Sequence, residues 1–253
     1  MRDLRGFALV DCKRWRCVSC LAVFVFGLVL PCSGVASGLE TFAQALTRHH
    51  IGLTEPALIE ALRNPDGEVR GLAAWQLLET KAVDSLPQIL QAVRDERESR
   101  TKVNLASAAA YLGSKEGLAA VETVCHDSSV PGWVRTDAAR HLFDLHDRSC
   151  LPDLWQLMDS GVEFGTRISA INLVEQLSDR TALESAQLLH FTLDALNDPD
   201  ISLRLFAASA LGELRDTAAI PNLRTAIQLE KEEVVKSRME DSLRSLLALN
   251  PTR

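Results

Sequence analysis

Aromatic residues make up only 5% of this 253-residue sequence, and Tyr111 is the single tyrosine. Strands favour aromatic and β-branched side chains, whereas chains rich in Ala and Leu pack as helices, so the shortage points away from sheets. No strand-like alternation of apolar and polar residues rises above noise in the body of the sequence. Basic charge is also scarce, with 27 Lys and Arg against 34 Asp and Glu, a net charge of −7. That balance excludes nucleic acid as a partner, because a phosphate backbone demands a basic face. There is no Gly-rich phosphate loop, no Ser nucleophile elbow and no catalytic Cys–His pair. The protein therefore reads as non-enzymatic, with no cofactor and no metal.

The longest apolar run, "VSCLAVFVFGLVL" from Val18 to Leu30, is too short to span a bilayer, which takes about 20 residues. It follows a basic opening (Arg2, Arg5, Lys13, Arg14, Arg16) and precedes Gly34 and Ala36, small residues spaced as in a peptidase site. This order predicts a cleavable signal peptide over residues 1–36, with the mature protein beginning near Ser37 in the periplasm. The same flanks fit an uncleaved inner-membrane anchor. Lipidation at Cys32 is the weaker alternative, since Pro31 stands where a small residue is expected. Loss of the leader leaves 22 basic and 32 acidic residues, a net charge of −10, and no membrane insertion of the mature body is expected.

Two stretches echo each other from distant parts of the sequence: "NPDGEVRGLAAWQLLE" from Asn64 and "NDPDISLRLFAASALGELRD" from Asn197. A basic residue before a helical stretch, Ala-rich in the two echoes and weaker in the other copies, recurs at Arg70, Lys102, Arg135, Arg167, Arg204 and Lys236. The intervals are nearly equal, apart from a longer one between Arg167 and Arg204. A period this regular is the mark of a solenoid of helix pairs. Asp66 and Asp200 precede first helices as N-cap candidates, and Pro87, Pro152 and Pro221 head second helices, where no hydrogen bond is lost.

The pattern in "DGEVRGLAAWQL" and "DISLRLFAASALGEL" resembles HEAT repeats, in particular the short HEAT-like repeats of phycobilin lyases. The resemblance covers roughly residues 39–250, about six helical hairpins plus a C-terminal capping helix. It implies an all-α fold, a right-handed α-solenoid whose second helices line a concave face. It also implies a structural ladder in which the anchor arginines (Arg70, Arg135, Arg204) pair with the capping aspartates (Asp66, Asp200). The ladder is expected to break at Lys102 and Arg167, whose units lack the aspartate. Some HEAT-like proteins are di-iron hydroxylases with repeated His-Glu dipeptides, a pattern missing here.

Asp137, His141 and Asp144 lie one turn apart on a predicted helix, a spacing metal sites use. The commoner meaning is a solvated face with side-chain pairing, and no second histidine reaches it. A more informative pattern comes from the second helices, where buried positions recur and the two residues after each first buried position face away. Along the repeats these are Ile59 and Glu60, Leu90 and Gln91, Glu122 and Thr123, Trp155 and Gln156, Leu193 and Asp194, and Arg224 and Thr225. Four of the six pairs lead with a large apolar residue, as in a peptide-binding groove edged by carboxylates; the alternative is that these side chains lean onto the adjacent helix. Trp155 and Leu90 are expected to serve binding while adding little to folding. The leading reading is an exported scaffold or adaptor that binds a protein or extended peptide of basic character on its concave face. The runner-up is a lyase-like accessory subunit that assists cofactor maturation of a partner protein. Of the six cysteines only Cys125 and Cys150 lie beyond the leader. The register places them at opposite edges of the solenoid, about one helix length (~15 Å) apart, so they are expected to remain unbonded.

Overall fold

Helix starts in this chain are fixed by local chemistry. Asp66 accepts a hydrogen bond from the Glu68 amide at 2.9 Å, and Asp200 accepts from Ser202 and Leu203 at 2.7 and 3.1 Å. Glu98, Ser114 and Glu163 cap three further helices in the same way. Thr41 with Gln44, and Thr181 with Glu184, form reciprocal capping boxes. Pro56, Pro87, Pro152 and Pro221 occupy first-turn positions, where the missing amide costs nothing.

The computed structural model describes residues 40–249; the expected leader, its cleavage after Ala36 and Cys32 lie outside the described residues. The described residues form an all-α solenoid with no strand among them. Its helices are α1 (Phe42–Arg48), α2 (Glu55–Ala61), α3 (Gly67–Glu79), α4 (Leu86–Asp95), α5 (Ser99–Tyr111), α6 (Lys115–His126) and α7 (Gly132–Asp144). They continue as α8 (Leu151–Leu157), α9 (Phe164–Glu175), α10 (Ala182–Ala195), α11 (Ile201–Leu214), α12 (Ile220–Leu229) and α13 (Glu233–Leu249). Odd-numbered helices from α3 onward are the first helices of their repeats and pack on one another; the even-numbered ones are the second helices.

Small residues set the spacing. Ala73, Ala74, Ala108, Ala109, Ala138, Ala139, Ala207 and Ala208 are all fully buried along the first helices. Gly117 in α6 lies so close to α5 that an added Cβ would stand 2.8 Å from the Ala106 carbonyl and from the Ala109 methyl. The leucines that follow the alanines, such as Leu77, Leu142 and Leu211, close the core beneath them. Buried side chains fall into two clusters, one running from Leu46 to Leu188 and one from Ala195 to Leu246; Phe206 and Leu214 touch both.

The turns between first and second helices share a device. His50, Lys81, Gly113, His146 and Arg215 all take left-handed backbone just past a first helix, the conformation that ends a helix sharply. After α9 the job passes to a side chain: Arg180 donates to the carbonyls of Val174, Glu175 and Leu177.

Cys125 and Cys150 are joined in a disulfide, with Cα atoms 6.2 Å apart, and both are fully buried. The expectation that they remain unbonded is overturned. It presumed a helix of about ten residues between two opposite edges, but α8 has only seven residues, ~10 Å of helix. Its first turn sits against the last turn of α6, as Asp153 shows by reaching both His126, at 2.7 Å, and Arg135, at 2.6 Å.

Candidate functional site

Each anchor arginine clamps two second helices. The Arg70 Nη1 donates to the Asn64 and Pro65 carbonyls beyond α2, at 2.7 and 3.0 Å, while its Nε donates to Glu96 after α4 at 2.8 Å. Arg204 repeats the arrangement in the second echoing stretch, with the Asp198 and Pro199 carbonyls at 2.9 and 3.1 Å and Glu230 at 2.7 Å. Arg135 donates to the Cys125 carbonyl at 2.7 Å and to Asp153 at 2.6 Å. Arg167 donates to the Met158 carbonyl at 3.0 Å and to the Asp198 carboxylate. A cation at a helix C-terminus also opposes the dipole there.

These contacts correct the expected ladder. Arg70 and Arg204 pair with Glu96 and Glu230, because Asp66 and Asp200 spend their oxygens on first-turn amides. The break expected at Arg167 is absent, since Asp198, two residues before the next cap, supplies the carboxylate. At Lys102 the position carries no guanidinium to bridge in this way. The Arg204 hydrogen bonds hold the Glu230 carboxyl below its ordinary range, and Glu230 in turn raises the guanidinium.

On the second-helix face the expected residues divide by position. Glu60, Gln91, Thr123, Gln156, Asp194 and Thr225 are exposed, as is Arg224. Ile59, Leu90, Glu122, Trp155 and Leu193 are half-buried. Leu90 and Trp155 pack against the core, and Trp155 stacks on Phe191 with ring centroids 6.0 Å apart. The expectation that these two add little to folding is therefore corrected: a side chain leaning onto the next second helix contributes to both face and core. Glu122 has its pKa raised by burial and by a hydrogen bond with Asp147. A cleft of about 270 Å³ opens where α2 meets α4, with Ile59 and Gln91 in its walls and Arg70–Glu96 behind them. Its counterpart, about 300 Å³ around Arg204–Glu230, lies where α10 meets α12. The two clefts occupy equivalent places in the two echoing stretches.

The first-helix side holds a cluster that the repeat register does not mark. Phe42 stacks on Trp75 at 5.8 Å, and the Trp75 ring lies 5.7 Å from Tyr111 and 5.3 Å from His141. The Arg140 Nη2 stands 3.2 Å from the His141 Nε2, and the Tyr111 hydroxyl lies 3.4 Å from the His141 Nδ1. The hydroxyl itself donates to Asp144 at 3.1 Å. With arginine able only to donate, Nε2 must accept, which leaves the ring neutral with its proton on Nδ1. Burial, aided by Arg140, pushes the His141 pKa down to about 4. Burial and the Asp144 charge raise the Tyr111 phenol above its usual range. Asp137 pairs with Arg140 at 2.5 Å, so the carboxylates flanking His141 are both engaged. Among the described residues no three His, Cys, Asp or Glu side chains converge as a metal site would require. An NMR titration should find the His141 imidazole uncharged from about pH 8 down to about pH 5.5, where a solvent-exposed histidine is mostly protonated. A midpoint near the ordinary 6.5 would contradict the hydrogen-bond order.

The model of the family described as HEAT repeats matches residues 55–142 and 151–244. Among solved structures the chain is similar to a chain in the complex of CpcE and CpcF of phycocyanin lyase from Nostoc sp. PCC7120. The identity is 19% and the TM-score 0.35, over 78% of this chain and 96% of that one. No curated protein is detectably similar in sequence. The family match spans nearly every helix of the solenoid, and the chain belongs to the HEAT-repeat family.

Proposed function

We propose that this protein is an exported, non-enzymatic scaffold that binds a protein or an extended peptide of basic character on the face formed by its second helices. The observation that carries this reading is the repetition of that face. Six successive hairpins present an exposed position next to a second one on the same face, with half-buried Ile59, Leu90, Trp155 and Leu193 as the apolar members. Exposed Glu60 and Asp194, with half-buried Glu122, outnumber the exposed Arg224 on this face, which favours a cationic ligand. Export is supported by the buried disulfide, since such bridges form and persist in oxidising compartments. No helix among the described residues is long and apolar enough to cross a membrane.

A photo-cross-linker placed at Gln91 or Gln156 in intact cells, read by mass spectrometry, should capture one predominant protein partner. The same group at Ser169, exposed on α9, serves as the comparison. Once the partner is known, Gln91→Arg and Gln156→Arg should each weaken binding at least five-fold while changing stability by less than ~1 kcal/mol, as exposed substitutions do. Equal capture from Ser169 would sink the assignment of the face. A captured partner that carries a visible absorbance band would instead favour the accessory-subunit reading.

A further inference from the structure

The edge of the solenoid where second helices return to first helices changes character halfway along. In the last four units the first turn of each first helix carries an exposed apolar side chain. Trp133 of α7 is 49% exposed, Phe164 of α9 45%, Ile201 of α11 46% and Val234 of α13 60%. Exposed Leu229, at the end of α12, adds to the last of them. The corresponding positions in the first two units, Gly67 and Glu68 in α3 and Ser99 and Arg100 in α5, are small or charged. Helix packing alone would not distinguish the halves, because these side chains point away from the core.

The first turns that carry these side chains belong to neighbouring helices, Phe164 and Ile201 at the first helical residue and Trp133 and Val234 at the second. A Cβ added at Gly132 would meet the Thr166 methyl at 2.7 Å, so the first turns of α7 and α9 abut. Successive first helices pack on each other through α13, and packed helices lie about 8–10 Å apart. Four helix starts at roughly 10 Å intervals correspond to about one heptad of an α-helix each, since a heptad rises ~10.5 Å.

Charge specifies the other half of the ligand. The four loops that feed these helices, with the first residue of α13, carry Asp127, Asp159, Glu163, Asp200, Glu232 and Glu233 against Lys231 and the Arg100 that lies over Trp133; Asp198 and Glu230 are already paired with Arg167 and Arg204. Four helix N-termini contribute roughly half a positive charge each, about +2 in all, which leaves the edge acidic. At the α7 end the Trp133 ring already carries a cation of the protein itself, the Arg100 guanidinium at 5.6 Å, so the ligand's basic groups are directed to the acidic loops along the rest of the edge. A second copy docking through the same edge would bring carboxylates against carboxylates.

We propose that this edge, lined by Trp133, Phe164, Ile201 and Val234, docks a basic amphipathic helix of a partner protein, separately from the second-helix face. The probe is a synthetic helix long enough to pass all four helix starts, with Leu on one heptad stripe and Lys on its flanks. It is titrated by fluorescence anisotropy into the full chain. Ile201→Ser with Val234→Ser should weaken binding at least ten-fold, and Glu232→Lys with Glu233→Lys at least five-fold. All four side chains are exposed, and circular dichroism should show unchanged melting for the Ser pair and a slight fall for the Lys pair, whose cations oppose the dipole at the start of α13. Gln91→Arg, on the other face, should leave this binding unaltered, so the two sites fail or stand independently. No binding to the unsubstituted chain would overturn the proposal. Equal binding of a scrambled peptide of the same composition, or of a proline-rich extended peptide of the same charge, would overturn it as well. So would a Ser double variant that binds as tightly as the parent.

Discussion

Reducing the Cys125–Cys150 bridge is expected to lower the unfolding free energy by about 3.5 kcal/mol, the loop-closure entropy released when a loop of this length is no longer tied. In a body of this size that corresponds to a fall in melting temperature of roughly 7–14 °C. Urea unfolding with and without reductant measures the first quantity, and thermal melts of the Cys125→Ala, Cys150→Ala double variant measure the second. Neither cysteine should react with an alkylating agent when the unreduced protein is denatured. The size follows from the length of the tied loop; in the native state both sulfurs are buried between α6 and α8, where the Arg135 clamp holds the Cys125 carbonyl and Asp153 together. Labelling of both thiols, or identical stability in the two redox states, would show that the bridge does not form.

A loss of similar size is expected for Arg167→Leu. The Arg167 side chain is 3% exposed and its partner Asp198 10%, so removal of the guanidinium strands a carboxylate and the Met158 carbonyl in a place water scarcely reaches. Breaking one side of such a pair typically costs about 3–5 kcal/mol. Asp198→Asn in the same chain should recover part of the loss, because the stranded charge disappears while an amide remains to satisfy neighbouring backbone. A double-mutant cycle by urea unfolding gives the coupling between the two residues. Additive losses would mean that the pair acts through packing alone. The exposed pair Arg94–Glu116, 49% and 52% open to solvent, provides the contrast. Removing it should change stability by less than ~1 kcal/mol.

Much of the architecture was legible in the sequence because repetition multiplies weak signals. One Asp before one Ala pair means little, but Asp66 and Asp200 precede the same word in two distant copies. Both act as the helix caps their position implies. The partner of each anchor arginine was not legible, because Glu96 and Glu230 lie a whole hairpin downstream, and only packing decides which carboxylate a long side chain reaches. The disulfide was missed for a related reason. Register counts residues and does not reveal that α8 is shorter than its counterparts α4 and α12, or that its first turn therefore lies against α6. The His141 cluster is assembled from three first helices and α1, and its members sit at different places in their repeats. The apolar edge, by contrast, was available in the column just ahead of the anchors, where Trp133 and Val234 stand two residues before Arg135 and Lys236.

The division of the core between Leu188 and Ala195 bears on how backbone amides meet solvent. In a linear array each helix pair is stabilised by its neighbours, so opening begins where a boundary is least reinforced and spreads toward the nearer terminus. Between the two clusters the reinforcement comes from Phe206 and Leu214, which touch both, from Ile168 of α9, which packs on the second, and from the Arg167–Asp198 pair, which ties α9 to the loop after α10. Amides of α11 to α13 are therefore expected to share one opening event, and those of α3 to α8 another of higher free energy, with the disulfide inside the second block. Deuterium uptake would record this as two protection classes that meet at α9 and α10.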